Sequence, residues 1–253
     1  MPPAQWYTGI VIQIQDLAPN TRSFTIQIPE VTVSPFIAGQ FITFDLPVGE
    51  KRLQRWRSYS IASPPRDSNL IELCLVHLDR GLGSTYFFEQ VVIGTELKFK
   101  KPEGGFVLPD IIDHDLVMIC TGTGIAPFRS MIQDIIHHKV NHQNIHLIFG
   151  TRHREDILYL DEWHALARDY DWFKFDIALS REIINNDDPY PWSNAIKIHK
   201  GYVHPIYIDA YADYRSDIHF YLCGWSKMID EAVANLFVQM KYPRQQIHYE
   251  LYG

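Results

Sequence analysis

The rhythm of hydrophobic and polar positions changes once along this chain, near Leu108. Before that point short runs alternate every second residue: Thr8–Ile14, Thr21–Gln27, Phe41–Leu46, Arg57–Ala62, Leu70–Leu78 and Glu96–Lys100. In the fifth run Leu73, Leu75 and His77 share one face, with Cys74 and Val76 on the other. That is the period of a strand. Gly/Pro-rich turns separate the runs. One helix interrupts them, capped by Ser84 or Thr85 and running through Phe87 to about Val91. Short strands without intervening helices predict a small antiparallel barrel or sandwich.

After Phe106-Val107-Leu108-Pro109 strands and helices alternate. Leu116–Cys120 is continuously apolar, and an amphipathic helix follows from Phe128 to about His138. Then come a strand at Ile145–Phe149, a helix around Asp161–Asp169, a strand at Phe173–Leu179, a strand-like run at His219–Cys223 and a helix at Ser226–Met240. This order predicts a doubly wound α/β domain, a parallel sheet with helices on both faces. The 253 residues suffice for two such domains, divided here as 1–110 and 111–253.

Composition narrows the function classes. No window reaches the roughly 18 apolar residues of a membrane helix, and Met1–Asp16 carries no signal- or transit-peptide pattern. A cytoplasmic protein, not bound to a membrane and monomeric, is the expectation. Cys74, Cys120 and Cys223 are widely separated and form no C-x-x-C pair, which argues against a disulfide framework and a four-cysteine iron–sulfur cluster. His137, His138, His142 and His146 follow no metal-ligand spacing, so no metal site is expected. Up to Asp110 there are 10 Lys/Arg against 11 Asp/Glu, and 13 against 19 beyond it. That balance excludes a nucleic-acid-binding domain. Local basic groups stand out in the first part, at Lys51-Arg52 with Arg55 and Arg57, and at Lys98 with Lys100-Lys101. They suit a small acidic partner protein, or simply solvated strand ends.

Four consecutive residues carry the densest chemistry, Arg57-Ser58-Tyr59-Ser60. In a strand Arg57 and Tyr59 point to one face and Ser58 and Ser60 to the other. Arginine suits a phosphate or pyrophosphate through its planar fork, and tyrosine offers a flat heterocycle a stacking face. A phosphate joined to a flat ring describes a flavin nucleotide. The turn Gly81-Leu82-Gly83-Ser84-Thr85 feeds a helix N-terminus, which makes either an anion site or an ordinary cap. In the second part, strand ends fall at Thr121–Pro127, Gly150–Arg154, Ser180–Glu182 and Cys223–Ser226, where parallel sheets bind ligands. The run Gly122-Thr123-Gly124-Ile125-Ala126-Pro127 lacks the last glycine of a dinucleotide fingerprint and the G-K-[ST] of a P-loop. Ser180-Arg181, with Arg152, suits a phosphate monoester; the alternative for Arg181 is an ion pair with Glu182 or another nearby acid. The polar loop Ile183–Trp192 is read as a cover beside that site or as a plain connection between elements.

Six motifs in this order resemble the ferredoxin–NADP(H) reductase superfamily over nearly the whole chain. They are Arg57-Ser58-Tyr59-Ser60, Gly81–Ser84, Pro102–Phe106, Gly122–Pro127, Ser180-Arg181-Glu182, and Cys223-Gly224 followed by Met228. The resemblance implies an FAD-binding barrel followed by an NAD(P)-binding domain, with hydride passing between nicotinamide C4 and flavin N5. It implies that Arg57 holds the pyrophosphate, with Ser84 and the glycines before it, Gly81 and Gly83, beside Thr85 taking the other phosphate contact. Tyr59 would stack on the flavin and Ser60 bond near its N5. Gly122, Thr123, Gly124 and Pro127 would cradle the nicotinamide dinucleotide, with Cys223 and Gly224 beside its ring. Ser180 and Arg181, with Arg152 and Lys200, would read the 2′-phosphate of NADP(H). The tail Tyr249-Glu250-Leu251-Tyr252-Gly253 is similar to the plant-type ending, with Tyr252 covering the flavin and Glu250 assisting proton movement.

Three departures stand out. Gly253 follows the terminal aromatic, Trp225 occupies a position where the family often has a smaller residue or proline, and Ile196–Val203 lacks a clean Lys–Tyr pair. NAD(H) therefore stays open beside NADP(H). The implied activity is electron transfer between NADPH and a one-electron carrier such as ferredoxin or flavodoxin. The alternatives are the reductase component of an oxygenase system, a free-flavin reductase, and a non-enzymatic nucleotide-sensing module.

Overall fold

The computed structural model describes residues 5–183 and 196–252, so the expected cover loop, apart from Ile183, lies outside the described residues. Contacts divide the chain into two compact units. The first holds residues up to Leu108 together with Ala126–Val140; the second holds Pro109–Ile125 and the rest from Asn141.

In the first unit strands β1 (Trp6–Ala18), β2 (Thr21–Gln27), β3 (Phe41–Asp45), β4 (Trp56–Ser60), β5 (Leu70–Val76) and β6 (Glu96–Lys100) form one antiparallel sheet. Their order is β4-β3-β6-β1-β2-β5. A bridge between Ile61 and Leu73 joins the end of β4 to the opposite edge, so the sheet closes on itself as a barrel does. The inward residues of the alternating runs make its core, among them Phe24, Ile42, Phe44, Leu73 and Phe99. A single turn, α1 (Arg52–Arg55), leads into β4, and α2 (Leu82–Glu89) follows β5. The N-cap of α2 is Gly81, three residues before the expected Ser84. The Ser84 hydroxyl instead donates to the Gly81 and Leu78 carbonyls, holding the turn from inside the helix.

The second sheet is wholly parallel. It contains β7 (Asp115–Thr121), β8 (Ile145–Thr151), β9 (Phe173–Leu179), β10 (Ile196–Lys200), β11 (Ile218–Trp225) and β12 (Ile247–Tyr252) in the order β10-β9-β8-β7-β11-β12. Central strands such as β8 are buried along almost their whole length, which explains their unbroken apolar runs. Helix α3 (Ile125–His138) starts three residues before the pattern suggested, preceded by a 3₁₀ turn at Gly122–Gly124. Pro127 sits in its first turn, where a backbone N–H is not needed. Its later residues belong to the first unit: Arg129 donates to the Ala62 carbonyl at 3.1 Å and to Glu72 at 3.2 Å, and Ser130 to the Ser63 carbonyl at 2.7 Å. Helices α4 (Leu160–Asp169), α5 (His204–Ala210) and α6 (Ser226–Ala234) complete the second unit, α6 continuing as a π-helical stretch at Asn235–Gln239. The alternation had not marked β10, α5 or β12. Among the described residues no helix is long and apolar enough to cross a membrane.

Candidate functional site

The first unit joins its two expected phosphate contacts. Strand β4 carries Arg57 and Tyr59, and its register places Ser58 opposite Thr43 of β3, where the two hydroxyls lie 2.9 Å apart. Ser60, next on that face, is buried. On the other face, Gly83 of α2 approaches so closely that a Cβ there would stand 2.7 Å from the Tyr59 hydroxyl and 2.9 Å from Arg57 Cγ. Only glycine leaves room. The turn Gly81–Thr85 therefore lies directly against Arg57 and Tyr59, although more than twenty residues separate them in the sequence. The Tyr59 ring is set edge-on against Phe87, 5.4 Å between centroids. Burial pushes its phenol up to about 12, the nearby Arg57 opposing this, so it stays protonated at neutral pH. Arg57 donates to the Leu53 carbonyl at 2.8 Å and the Trp56 carbonyl at 2.7 Å. Thr85 N–H already donates to the Gly81 carbonyl. The N–H groups left for an anion are thus those of the first helical positions, Leu82, Gly83 and Ser84.

The second unit assembles its own group at the carboxyl ends of β7, β11 and β12. A Cβ on Gly124 would meet the Cys223 carbonyl carbon at 2.7 Å and Gly224 Cα at 2.8 Å, so the glycine turn packs onto the Cys223-Gly224 backbone. Trp225 N–H donates to Thr121 Oγ1 at 3.3 Å, tying the two strand ends together. Trp225 is half exposed. Thr123 is partly accessible, whereas Pro127 is buried. Cys223 stands in register with Cys120 on one side and Glu250 on the other, with the Tyr252 side chain near enough to act on its thiol. Burial, reinforced by Glu250, holds its thiol well above its ordinary pKa, against the lowering effect of Tyr252. Cys223, Glu250 and Tyr252 therefore meet, while Ser60 belongs to the first unit.

At the ends of β8 and β9, Ser180 N–H and its hydroxyl both donate to the Thr151 carbonyl, and Arg181 N–H donates to the Arg152 carbonyl at 3.0 Å. This sets Arg152 and Arg181, both exposed, on adjacent strand ends. The expected alternative, an Arg181–Glu182 pair, does not form. Glu182 accepts from Arg154 N–H at 3.2 Å and faces His153 at 3.5 Å, and Arg181 has no ion pair among the described residues.

Two groups escaped the sequence reading. Trp6 and Trp56 meet edge to face at 5.8 Å, with Lys98 over the first ring and Arg52 and Lys100 over the second. Asp176 is buried beside His146, His199 and Lys174. Its signal was legible: a lone carboxylate in the run Phe173–Leu179.

Comparison with known proteins adds the following. The family described as "Oxidoreductase FAD-binding domain" matches residues 8–108, and "Oxidoreductase NAD-binding domain" matches residues 118–234. The Ferredoxin--NADP reductase B of Sorangium cellulosum (strain So ce56) is 28% identical over 250 residues, 98% of this chain and 98% of that one. The reductase component DmpP of phenol 2-monooxygenase from Pseudomonas sp. (strain CF600) is 29% identical over 235 residues, 92% of this chain. That match spans only 62% of DmpP. In three dimensions, a ferredoxin NADP+ reductase from Neisseria gonorrhoeae with bound FAD and NADP superimposes with a TM-score of 0.78 at 23% identity, covering 98% of this chain and 99% of that one.

Proposed function

Because this chain belongs to the ferredoxin–NADP reductase-like superfamily of FAD- and NAD(P)-binding oxidoreductases, we propose that it moves electrons between NADPH and a one-electron carrier protein such as ferredoxin or flavodoxin. The observation that carries most of this reading is the contact of Gly83 with Tyr59 and Arg57. It packs the amino end of α2, with its first-turn N–H groups, against the Tyr59 hydroxyl and the Arg57 side chain.

FAD, when bound, supplies the exchange between a two-electron hydride and single electrons. The chain's own residues bind and orient. Arg57 neutralises the pyrophosphate, Tyr59 offers its ring to the flavin, and Ser60 and Glu250 provide polar atoms for a proton. In the second unit the Gly122–Gly124 turn, Gly224 and Cys223 receive the nicotinamide half, with a thiol that stays protonated and so adds no charge. Arg152, Ser180 and Arg181 favour the 2′-phosphate of NADPH over NADH.

A basic aromatic surface supports an acidic partner. Lys98, Lys100 and Arg52 belong to groups far apart in sequence, yet the strand order β4-β3-β6-β1 gathers them around Trp6 and Trp56. A second reading, the reductase component of an oxygenase system, is favoured by the similarity to DmpP. It differs in the electron acceptor alone.

The test is direct. The purified protein should be yellow, release FAD on denaturation, and oxidise NADPH with an artificial one-electron acceptor. A colourless protein that takes up no FAD overturns the reading. Flavin lost during gel filtration, yet reduced in solution, would make it a flavin reductase instead.

A further inference from the structure

Asp176 has no part in the reading above, and its surroundings are elaborate. It is 1% exposed in the middle of β9, and both carboxylate oxygens are engaged. Oδ2 accepts from His146 Nε2 and Lys174 Nζ, each at 2.7 Å, and Oδ1 accepts from His199 Nε2 at 2.9 Å. The other nitrogen of His146, Nδ1, meets the Tyr211 hydroxyl at 2.7 Å. Burial alone would raise the carboxyl pKa, but these donors hold it well below the ordinary range, so the charge persists. Withdrawing a carboxylate from water costs several kcal/mol unless its partners compensate, and a sheet edge needs no such arrangement.

The network ends at an open cleft of about 400 Å³ between β10, the edge strand, and α5. Lys174 and His199 line it with 41% and 36% of their side chains exposed, each oriented by Asp176. With His199 Nε2 turned to Asp176, its Nδ1 is the nitrogen left for the cleft, and it donates to an anion when the ring carries both protons. Lys197, in register with Asp176, and Lys200 add cations that have no ion pair among the described residues. Pro205 and Ile206 supply an apolar wall, and Asp209 stands on the α5 side as the carboxylate opposite Asp176, whose own charge is met by its three donors. Lysines on an edge strand also guard against strand pairing, which accounts for Lys197 and Lys200. It does not account for a buried carboxylate aiming a histidine and a third lysine at the same space.

We propose that this cleft is a second anion site, taking a phosphate group, free or carried by a small molecule, between Lys174, Lys197 and His199. It is separate from the 2′-phosphate contacts. Lys174 and Lys197, the latter in register with Asp176, lie six and four positions before Ser180, roughly 13–20 Å along an extended strand, while His199 lies nearer and Lys200 alone belongs to both readings. The inference does not depend on the reductase reading.

Calorimetric titration of the full chain with inorganic phosphate and with ribose 5-phosphate tests it. Saturable binding at millimolar concentration or tighter is expected, weakened at least about tenfold in Lys197→Glu, as for loss of a charge-assisted contact, and kept in Arg181→Ala. Tighter binding of the ester assigns the apolar wall to its organic part, and equal affinities assign the site to free phosphate. Asp176→Asn should weaken binding as Lys197→Glu does, with melting curves confirming that each variant is folded. Binding that survives Lys197→Glu but is lost in Arg181→Ala overturns the proposal, as does no binding at about 10 mM, the weak end of specific recognition.

Discussion

At Gly83 the constraint is space. Its neighbours are a phenol locked by Phe87 and the middle of the Arg57 side chain, neither a loose end that can swing clear. Gly83→Ala should therefore displace the Tyr59 ring and weaken FAD retention by about tenfold or more, an overpacking cost of 1–3 kcal/mol. Flavin release measured by fluorescence would show it, and wild-type retention would mean that the cradle lies elsewhere. Tyr252 lies beside Cys223, in register with Trp225. Tyr252→Ser should narrow the NADPH/NADH ratio of kcat/KM by opening the nicotinamide position; unchanged kinetics with both would make the tyrosine structural. Arg57, Tyr59, Gly124 and Cys223 were legible because their chemistry and spacing are local. Ser84 misled for the same reason. A serine after Gly81-Leu82-Gly83 reads as a cap, but the glycine itself takes the extended N-cap conformation and turns the hydroxyl inward.

Among the elements, the strands of the first sheet and four of the second were readable from the pattern, since burial on one face or on both leaves a direct trace. The edge strands β10 and β12 and the helix α5 were not. Helix α5 has seven residues and no side-chain cap, its one signal being a proline in the first turn. The amino ends of β7, β11 and β12 hold another feature that no single run discloses. His114 stacks on His219 at 3.8 Å, and His219 Nδ1 lies 3.0 Å from His248 Nε2. Burial, then His114 and His248, pull His219 down to about 4, with Asp113 acting the other way. An unfolded histidine takes up its proton near 6.5, while folded His219 resists until about 4. The unfolded chain thus binds more protons between these values, so stability falls as pH drops from about 6.5 to 4 and levels below. Because His219 is partly solvated, the loss should be on the order of 1 kcal/mol, a few degrees in Tm. His219→Phe, which keeps a ring in the stack, should flatten this slope. An unchanged slope would remove the histidine cluster as its source.

For the molecule as a whole, charge is distributed unequally. The residues up to Asp110 are nearly balanced and the remainder carry most of the net −7. An acidic carrier would be drawn to the basic rings around Trp6 and Trp56 and repelled elsewhere, a steering effect that salt screens. Lys98→Glu with Lys100→Glu should raise KM for a ferredoxin or flavodoxin about tenfold at low salt. Reduction of a small neutral acceptor should stay at the wild-type rate. Equal losses with both acceptors would place the defect in the barrel rather than in docking. Composition could show that these cations exist but not that they share one surface. Their meeting depends on β6 lying between β3 and β1, a pairing set by closure of the sheet.

All three cysteines are buried, Cys120 and Cys223 side by side at the heart of the parallel sheet and Cys74 in β5, on the face opposite Leu73 and Leu75. Each half of the protein thus carries a concealed clock. A bulky maleimide should modify the native chain only as fast as the strands part, Cys74 timing one half and the other two timing the second. Peptide mapping of the modified protein would reveal whether they open together. Prompt modification of Cys223 under native conditions would mean that β11 breathes at the place proposed to receive the nicotinamide.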